Sequence, residues 1–236
     1  MVSKVLRVSG LGESAMAEKV EDIMENQTNP TIAPYAKDNE AVLRITSKGN
    51  TQEEAEALID PVERAVRERL GDNVYGEGET SLEAVVGEML VKRNLTIATA
   101  ESCTGGLLAG TLINYPGISS VFLEGIITYS NEAKMKHLGV KEETLAMHGA
   151  VSEETAQEMA EGIAKAASTN IVISVTGIAG PGGGTEEKPV GLVYVGLYIK
   201  GKVQVKKLNL FGDRQKIRQR TVANALDWLR RELLGN

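Results

Sequence analysis

The chain has 236 residues, 42% of them hydrophobic and 25% charged, which is enough for one large domain or a medium domain with a small one. One cysteine excludes an intrachain disulfide and a Cys-cluster zinc site, and with only two histidines, His137 and His148, any metal chemistry would rest on carboxylates. The net charge of −6 sits in the first third: residues 1–79 hold 9 basic against 16 acidic side chains, and residues 80–236 hold 17 against 16, which argues against nucleic acid as the main partner of the N-terminal part.

No run approaches the roughly 20 apolar residues that span a bilayer. The N-terminus MVSKVLRVSG lacks the apolar stretch of a secretion signal, so a cytoplasmic protein with no membrane partner is expected.

Residues 4–9 read as a strand, and Gly10 to Ser14 open a helix running to about residue 25 with Met16, Val20, Ile23 and Met24 on one face. After Asn29 and Pro30, residues 31–36 are extended, Lys37 to Glu40 turn, and residues 41–46 return as a strand. A helix over 51–70 carries Ala55, Leu58, Ile59, Val62 and Val66 as its apolar stripe, with a kink expected at Pro61. This β-α-β-β-α order describes a small α+β domain over residues 1–79, followed by a Gly- and Glu-rich linker at 72–80. The order suits an RNA-binding module of the KH type, but no G-x-x-G clamp occurs in residues 1–79. Together with the acidic balance, that points to a packing or dimerisation unit, so a homo-oligomer with a dimer favoured is expected and nucleic acid is not.

Residues 80–236 alternate strands with helices. Ser81 caps a helix burying Val85, Val86, Met89 and Leu90; residues 95–100 form a short buried strand and 107–113 a helix; residues 121–130 read as a second buried strand. Ser130 and Asn131 cap a short helix, Ser152 starts another with Ala156, Met159, Ala160, Ile163 and Ala167 facing inward, and 171–175 is a third strand. Residues 192–199 and 203–210 pair as a hairpin, and a final helix from 213 to about 234 turns Ile217, Val222, Leu226, Leu229 and Leu233 inward.

The chemistry concentrates where the first of these strands stops and a helix must start within six residues. The turn ESCTGG, 101–106, places Ser102, Cys103 and Thr104 at the mouth of a sheet beside free N–H groups of a helix N-terminus. Ser102 and Thr104 are either helix caps or a nucleophile with its surroundings; the G-x-S-x-G spacing of a nucleophile elbow is absent. If Ser102 attacks, the backbone N–H groups of Thr104, Gly105 and Gly106 are the candidate oxyanion donors. Cys103 is the rival nucleophile, but extended geometry turns residues 101 and 103 away from the side that 102 faces, which favours the serine.

Tyr129 and Lys134 straddle a second strand-to-helix turn and reach the same cleft if the two strands are neighbours. A lysine made neutral by desolvation can take the serine proton; otherwise Lys134 is a surface residue and Tyr129 an ordinary strand aromatic. Asn131 in the same turn is a candidate substrate contact. The loop TGIAGPGGGTEEKPVG, 176–191, is either a binding rim, with Gly177 and Gly180 near the ligand, or a mobile connection; it lacks the Gly-Lys-Ser/Thr of a Walker loop. Arg214 follows the N-cap Asp213, where the helix dipole disfavours a cation, and a bound anion such as phosphate would offset that. Lys216, Arg218 and Arg220 continue the basic run and also fit a solvated face.

The segments AESCTGG at 100–106, ITYSNEAK at 127–134, GAVSEE at 149–154, TGIAGPGGGTEEKPVG at 176–191 and GDR at 212–214 closely resemble the CinA C-terminal domain family over about residues 81–236. The resemblance implies a nicotinamide-mononucleotide amidohydrolase, producing nicotinate mononucleotide and ammonia in pyridine-nucleotide salvage. It also implies that Ser102, Tyr129 and Lys134 carry the reaction and that Arg214 holds the substrate phosphate. Residues 1–79 look like the KH-like middle domain of CinA. The family's N-terminal molybdopterin-binding-like domain, associated with ADP-ribose hydrolysis, is missing, so the sequence is either a short natural protein or part of a longer one. The expected architecture is a layered α/β/α hydrolase domain with a central mixed sheet, preceded by a small α+β KH-like domain. The scheme requires no metal or organic cofactor. The alternative is a nucleotide-binding or regulatory module without turnover.

Overall fold

The structure is a computed structural model that describes residues 1–235, and its chain forms two compact units, the first Met1–Val85 and the second from Val86 onward.

In the first unit, β1 (Val2–Val8), β2 (Thr31–Lys37) and β3 (Glu40–Ser47) join β4 (Val74–Glu77) in an antiparallel sheet of order β2-β3-β1-β4. Strand β3 shows the period-2 alternation of a half-buried strand: Leu43 and Ile45 are buried, while Arg44 points out and lies over the Tyr35 ring. Helices α1 (Glu13–Lys19) and α3 (Gln52–Leu70) supply Met16, Ile59 and Val66 to the same core, and α2 (Glu21–Glu25) packs the partly buried Ile23 and Met24 against it. Thr51 caps α3 by accepting from the Glu54 N–H, and Glu54 reaches back to the Asn50 N–H, so two donors are satisfied at one helix start.

Two expectations are corrected here. The single helix of residues 10–25 is two helices that meet at Val20, whose backbone leaves helical geometry. The linker at 72–80 contains a strand: Val74 and Tyr75 are β-prone and half or fully buried, and β4 pairs with β1, giving the sheet a fourth member.

Helix α4 (Leu82–Lys92) contains the boundary between the units, and in the second unit a five-stranded mixed sheet has the order β6-β5-β7-β8-β9. Its strands are β5 (Ile97–Glu101), β6 (Phe122–Ile127), β7 (Ile171–Gly177), β8 (Leu192–Ile199) and β9 (Lys202–Asn209). The first three run parallel and β8 and β9 close the sheet as an antiparallel hairpin. Ala98, Ala100 and Val172 face α6 (Asn131–Leu138) and α8 (Glu153–Ala167) through Leu138, Met159, Ala160 and Ile163. The opposite face, carrying Val195, meets α9 (Arg214–Leu234) through Ala225 and Trp228, with α5 (Leu107–Ile113) packed on α9. The result is the expected α/β/α layering.

Strand β6 is an outer strand rather than the buried one expected. Among the described residues it pairs only with β5, and Leu123 and Ile127 are about half exposed. A seven-residue helix, α7 (Glu142–His148), precedes α8 and was not expected, because one turn of apolar spacing in LAMH does not separate a helix from a loop. Helix α8 comes close to the end of α6 at Gly162, where a Cβ would lie 1.9 Å from the Leu138 carbonyl oxygen, so a glycine there sets how α6 sits. Among the described residues, no helix is long and apolar enough to cross a membrane.

Candidate functional site

Parallel strands β5 and β6 end in register, with Glu101 opposite Ile127, and β7 passes them with Val175 opposite Glu101 and runs on to Gly177. The residues that follow, Ser102, Thr128 and Thr176, therefore share one rim of the sheet, the place where parallel strands open a crevice. The Ser102 N–H donates to the Val175 carbonyl and the Thr128 N–H to the Glu101 carbonyl, which fixes the first residue beyond each of β5 and β6 to its neighbour.

The turn that carries Ser102 is built by its own backbone and by Glu101. Gly105 donates its N–H to the Ser102 carbonyl at 3.1 Å, closing a four-residue turn, and Gly105 and Gly106 take positive φ values of +59° and +90°. The Glu101 carboxylate is fully buried and accepts from the N–H groups of Gly106, Leu108 and Ala109 at 3.0, 3.0 and 2.8 Å. A charged cap thus satisfies donors that a helix start leaves unpaired.

Two of the three expected oxyanion donors are consequently occupied: the Gly105 N–H by Ser102 and the Gly106 N–H by Glu101. Among the described residues, the N–H groups of Cys103 and Thr104, the central pair of the turn, donate to no protein acceptor. The unoccupied pair of N–H groups lies one residue nearer to Ser102 than expected.

Lys134 comes from the first turns of α6, whose N-cap Ser130 accepts from the Ala133 N–H. Its side chain is 1% exposed, and its Nζ lies 3.1 Å from Ser102 Oγ, 2.8 Å from the Thr128 carbonyl oxygen and 3.3 Å from that of Tyr129. Among the described residues, no carboxylate is within ion-pair distance of it. Burial pushes its pKa below the ordinary lysine value, because the charged form loses hydration without gaining a counter-ion; a weaker influence of Cys103 acts the other way. A free amine suits the three contacts, donating to the two carbonyls and accepting from the Ser102 hydroxyl. Cys103 is 6% exposed and burial pushes its thiol up to about 11, which keeps it protonated and poorly nucleophilic at neutral pH. The hydroxyls of Thr104 and Thr128 are buried and make no hydrogen bond among the described residues.

The structure brings Ser102 and Lys134 together but engages Tyr129 differently. Tyr129 is 62% exposed, and its phenol oxygen accepts from Arg214 Nη2 at 2.9 Å and makes no hydrogen bond to Ser102 or Lys134. Arg214 also donates through Nη1 to the Gly180 carbonyl at 2.8 Å, tying the glycine-rich loop to the start of α9. Gly177 ends β7 packed against Val193, and Asn131 is exposed at the start of α6. Arg218, one turn beyond Arg214, donates to the Thr104 carbonyl through Nε at 3.3 Å and Nη2 at 2.6 Å.

These two arginines line a cleft of about 290 Å³ with Leu107, Gln215 and Gln219. Neither has a carboxylate partner among the described residues. A larger cavity, about 460 Å³, opens at the opposite end of the strands between Leu95, Ile171 and Ile199. It is larger than the arginine cleft, but the serine, the buried amine and the two guanidinium groups that lack a carboxylate partner all lie at the other rim. No group of three His, Cys, Asp or Glu side chains among the described residues is placed to hold a metal ion.

Glu101 and Arg218 were not assigned these roles from the sequence. Arg218 stands four residues after Arg214 and so shares its helix face, a usable signal; Glu101 as the last residue of a strand gives none.

The model of the CinA C-terminal domain matches residues 79–233. This chain belongs to the CinA C-terminal domain family. Residues 3–76 match the CinA KH domain. Similar proteins include competence-damage inducible proteins of Clostridium acetobutylicum, 68% identical over 235 residues and all of this chain, and of Clostridium novyi, 66% identical over 232 residues and 98% of it. The chain spans 57% and 56% of those two CinA relatives. Among solved structures, a CinA superfamily protein from Klebsiella pneumoniae is 36% identical with a TM-score of 0.64, covering 66% of this chain and 97% of that one. The competence/damage inducible protein CihA from Agrobacterium tumefaciens is 42% identical with a TM-score of 0.60, covering 64% and 96%.

Proposed function

We propose that the second unit hydrolyses the carboxamide of nicotinamide mononucleotide to nicotinate mononucleotide and ammonia. The observation that carries this reading is a lysine amine, buried and without a counter-ion, in hydrogen-bond contact with a serine hydroxyl at a sheet rim. A lysine base and a serine nucleophile so placed are suited to acyl transfer. Family membership supports the substrate class.

In the first half-reaction Lys134 takes the Ser102 proton as Oγ bonds to the carboxamide carbon. The tetrahedral oxyanion lies against the N–H groups of Cys103 and Thr104. Lys134 then gives its proton to the amide nitrogen, the C–N bond breaks, ammonia leaves, and an ester to Ser102 remains. In the second half, water adds to that ester, its proton passes to Lys134 and on to Ser102 Oγ, and the carboxylate leaves. Arg214 holds the phosphate of the substrate. Tyr129 holds Arg214 in position and borders the substrate, rather than relaying the serine proton.

The test is to incubate the chain with nicotinamide mononucleotide after chelation of metals and to assay ammonia, alongside a small panel of other amides. Ammonia release that is specific for the mononucleotide supports the proposal. Tight binding of the nucleotide with no ammonia supports a binding or regulatory module instead.

A further inference from the structure

Arg218 touches neither Ser102 nor Lys134, yet it is joined to the free N–H of Cys103 through two peptide groups. Its Nε and Nη2 both donate to the Thr104 carbonyl, which belongs to a fully buried residue. The peptide that presents this carbonyl also carries the Gly105 N–H, and that N–H donates to the Ser102 carbonyl at 3.1 Å. The Ser102 carbonyl in turn shares its peptide with the Cys103 N–H, the group one residue beyond the nucleophile. Each hydrogen bond to a peptide oxygen draws electron density toward it and makes the N–H of the same peptide a better donor.

We propose that Arg218 is a positioning residue that polarises the oxyanion donor through this relay of two peptides. The proposal rests on the serine amidase reading given above. One end of the relay is a permanent positive charge, since a guanidinium keeps its proton. The other is an N–H beside Ser102 with no acceptor among the described residues. When negative charge develops on the carbonyl oxygen of the substrate, all three links strengthen together. Before that moment they gain little, so Arg218 acts on the transition state more than on substrate binding.

Three features of the site agree with this role. Arg218 is half-buried and has no carboxylate partner among the described residues, so its charge is not neutralised nearby. It lies one helical turn from Arg214, a like-charge spacing that by itself costs a helix stability. Arg214 contacts Tyr129 and Gly180 on the substrate side, and Arg218 contacts the nucleophile turn.

The experiment compares Arg218→Lys, Arg218→Gln and Arg218→Met in the full chain by steady-state ammonia release and by the 15N shift of the Cys103 amide. Gln can keep a hydrogen bond to the Thr104 carbonyl without charge, and Lys keeps the charge without the fork. Removing an oxyanion donor outright costs about a hundredfold to a thousandfold in kcat, so weakening one through the relay should cost roughly tenfold, largest in Met and least in Lys, with KM near the wild-type value. The Cys103 amide should move upfield in Gln and Met, and this readout needs no substrate; if Met fails to fold, Gln and Lys carry the comparison. Wild-type kcat in Gln, or a Cys103 amide unmoved in the folded Gln variant, overturns the relay. Absence of ammonia release by the wild-type chain overturns the amidase reading and not the relay, which the amide shift still decides.

Discussion

Lys134 Nζ stands 3.1 Å from Ser102 Oγ inside the protein, with two backbone carbonyls as its other partners and no carboxylate in reach among the described residues. A charged amine there is poorly compensated, and a free amine is well matched. Activity should therefore rise with pH through the Lys134 pKa, which lies below the ordinary lysine value of 10.5. Below that pKa, kcat/KM should fall about tenfold per pH unit. Between the folded pKa and 10.5 the unfolded chain binds more protons at this residue than the folded one, so its contribution to stability grows with pH and is lost as pH falls. The unfolding free energy of the wild type should thus gain on that of Lys134→Met as pH rises toward 10.5. A pH-rate profile and urea denaturation at several pH values check both.

Glu101 is expected to matter for folding first. Its carboxylate accepts three N–H groups at the start of α5, and Glu101→Gln would replace one acceptor oxygen by a donor facing them. Hydrogen bonds to a charged group contribute about 1.5–3 kcal/mol each and an unpaired buried group costs a similar amount, so a loss on the order of 3 kcal/mol is predicted. Chemical denaturation measures it. A change within a few tenths of a kcal/mol would mean that the carboxylate does not hold the turn.

Gly162 connects packing to the site at a distance. Gly162→Ala would press a methyl group against the Leu138 carbonyl at the end of α6, and overpacking of this kind typically costs about 1–3 kcal/mol. The strain is relieved by moving α6, which carries Lys134. Loss of kcat in a variant that still binds nucleotide is the expected result, and unaltered kinetics in a folded variant would separate α6 placement from catalysis.

Tyr129 and Arg214 should behave as a binding pair. Tyr129→Phe removes the acceptor of Arg214 Nη2, and its main effect should be a raised KM with kcat little changed. A proton-relay role for the phenol predicts the reverse, a fall in kcat at constant KM. Steady-state kinetics of Tyr129→Phe beside Arg214→Gln distinguish the two.

Much of this was legible in the sequence where local chemistry and global packing agree. Ser81, Ser130, Ser152 and Asp213 cap the helices they were expected to start, and the periodic apolar residues of α8 and α9 are buried almost as read. The strand-turn-helix at Ser102 was readable because a β-prone run stops at glycines. What was hidden depends on neighbours distant in sequence. Phe122 to Ile127 is as apolar as a central strand, and only the sheet order makes it an edge. Val74 to Glu77 is four residues long among glycines and acids, and becomes a strand because β1 offers it an edge. The free N–H groups beside Ser102 are those of Cys103 and Thr104 rather than of Thr104, Gly105 and Gly106, because the Ser102 carbonyl takes the Gly105 N–H and Glu101 takes that of Gly106, contacts that spacing alone does not reveal.

Steady-state ammonia release from nicotinamide mononucleotide by Ser102→Ala, with Cys103→Ala as its partner, tests the serine–lysine pair most directly. Loss of the nucleophile should reduce kcat by about four orders of magnitude or more, while Cys103→Ala, which removes a buried and protonated thiol, should keep most of its activity. Wild-type turnover by Ser102→Ala, or activity that disappears only with Cys103, would contradict it.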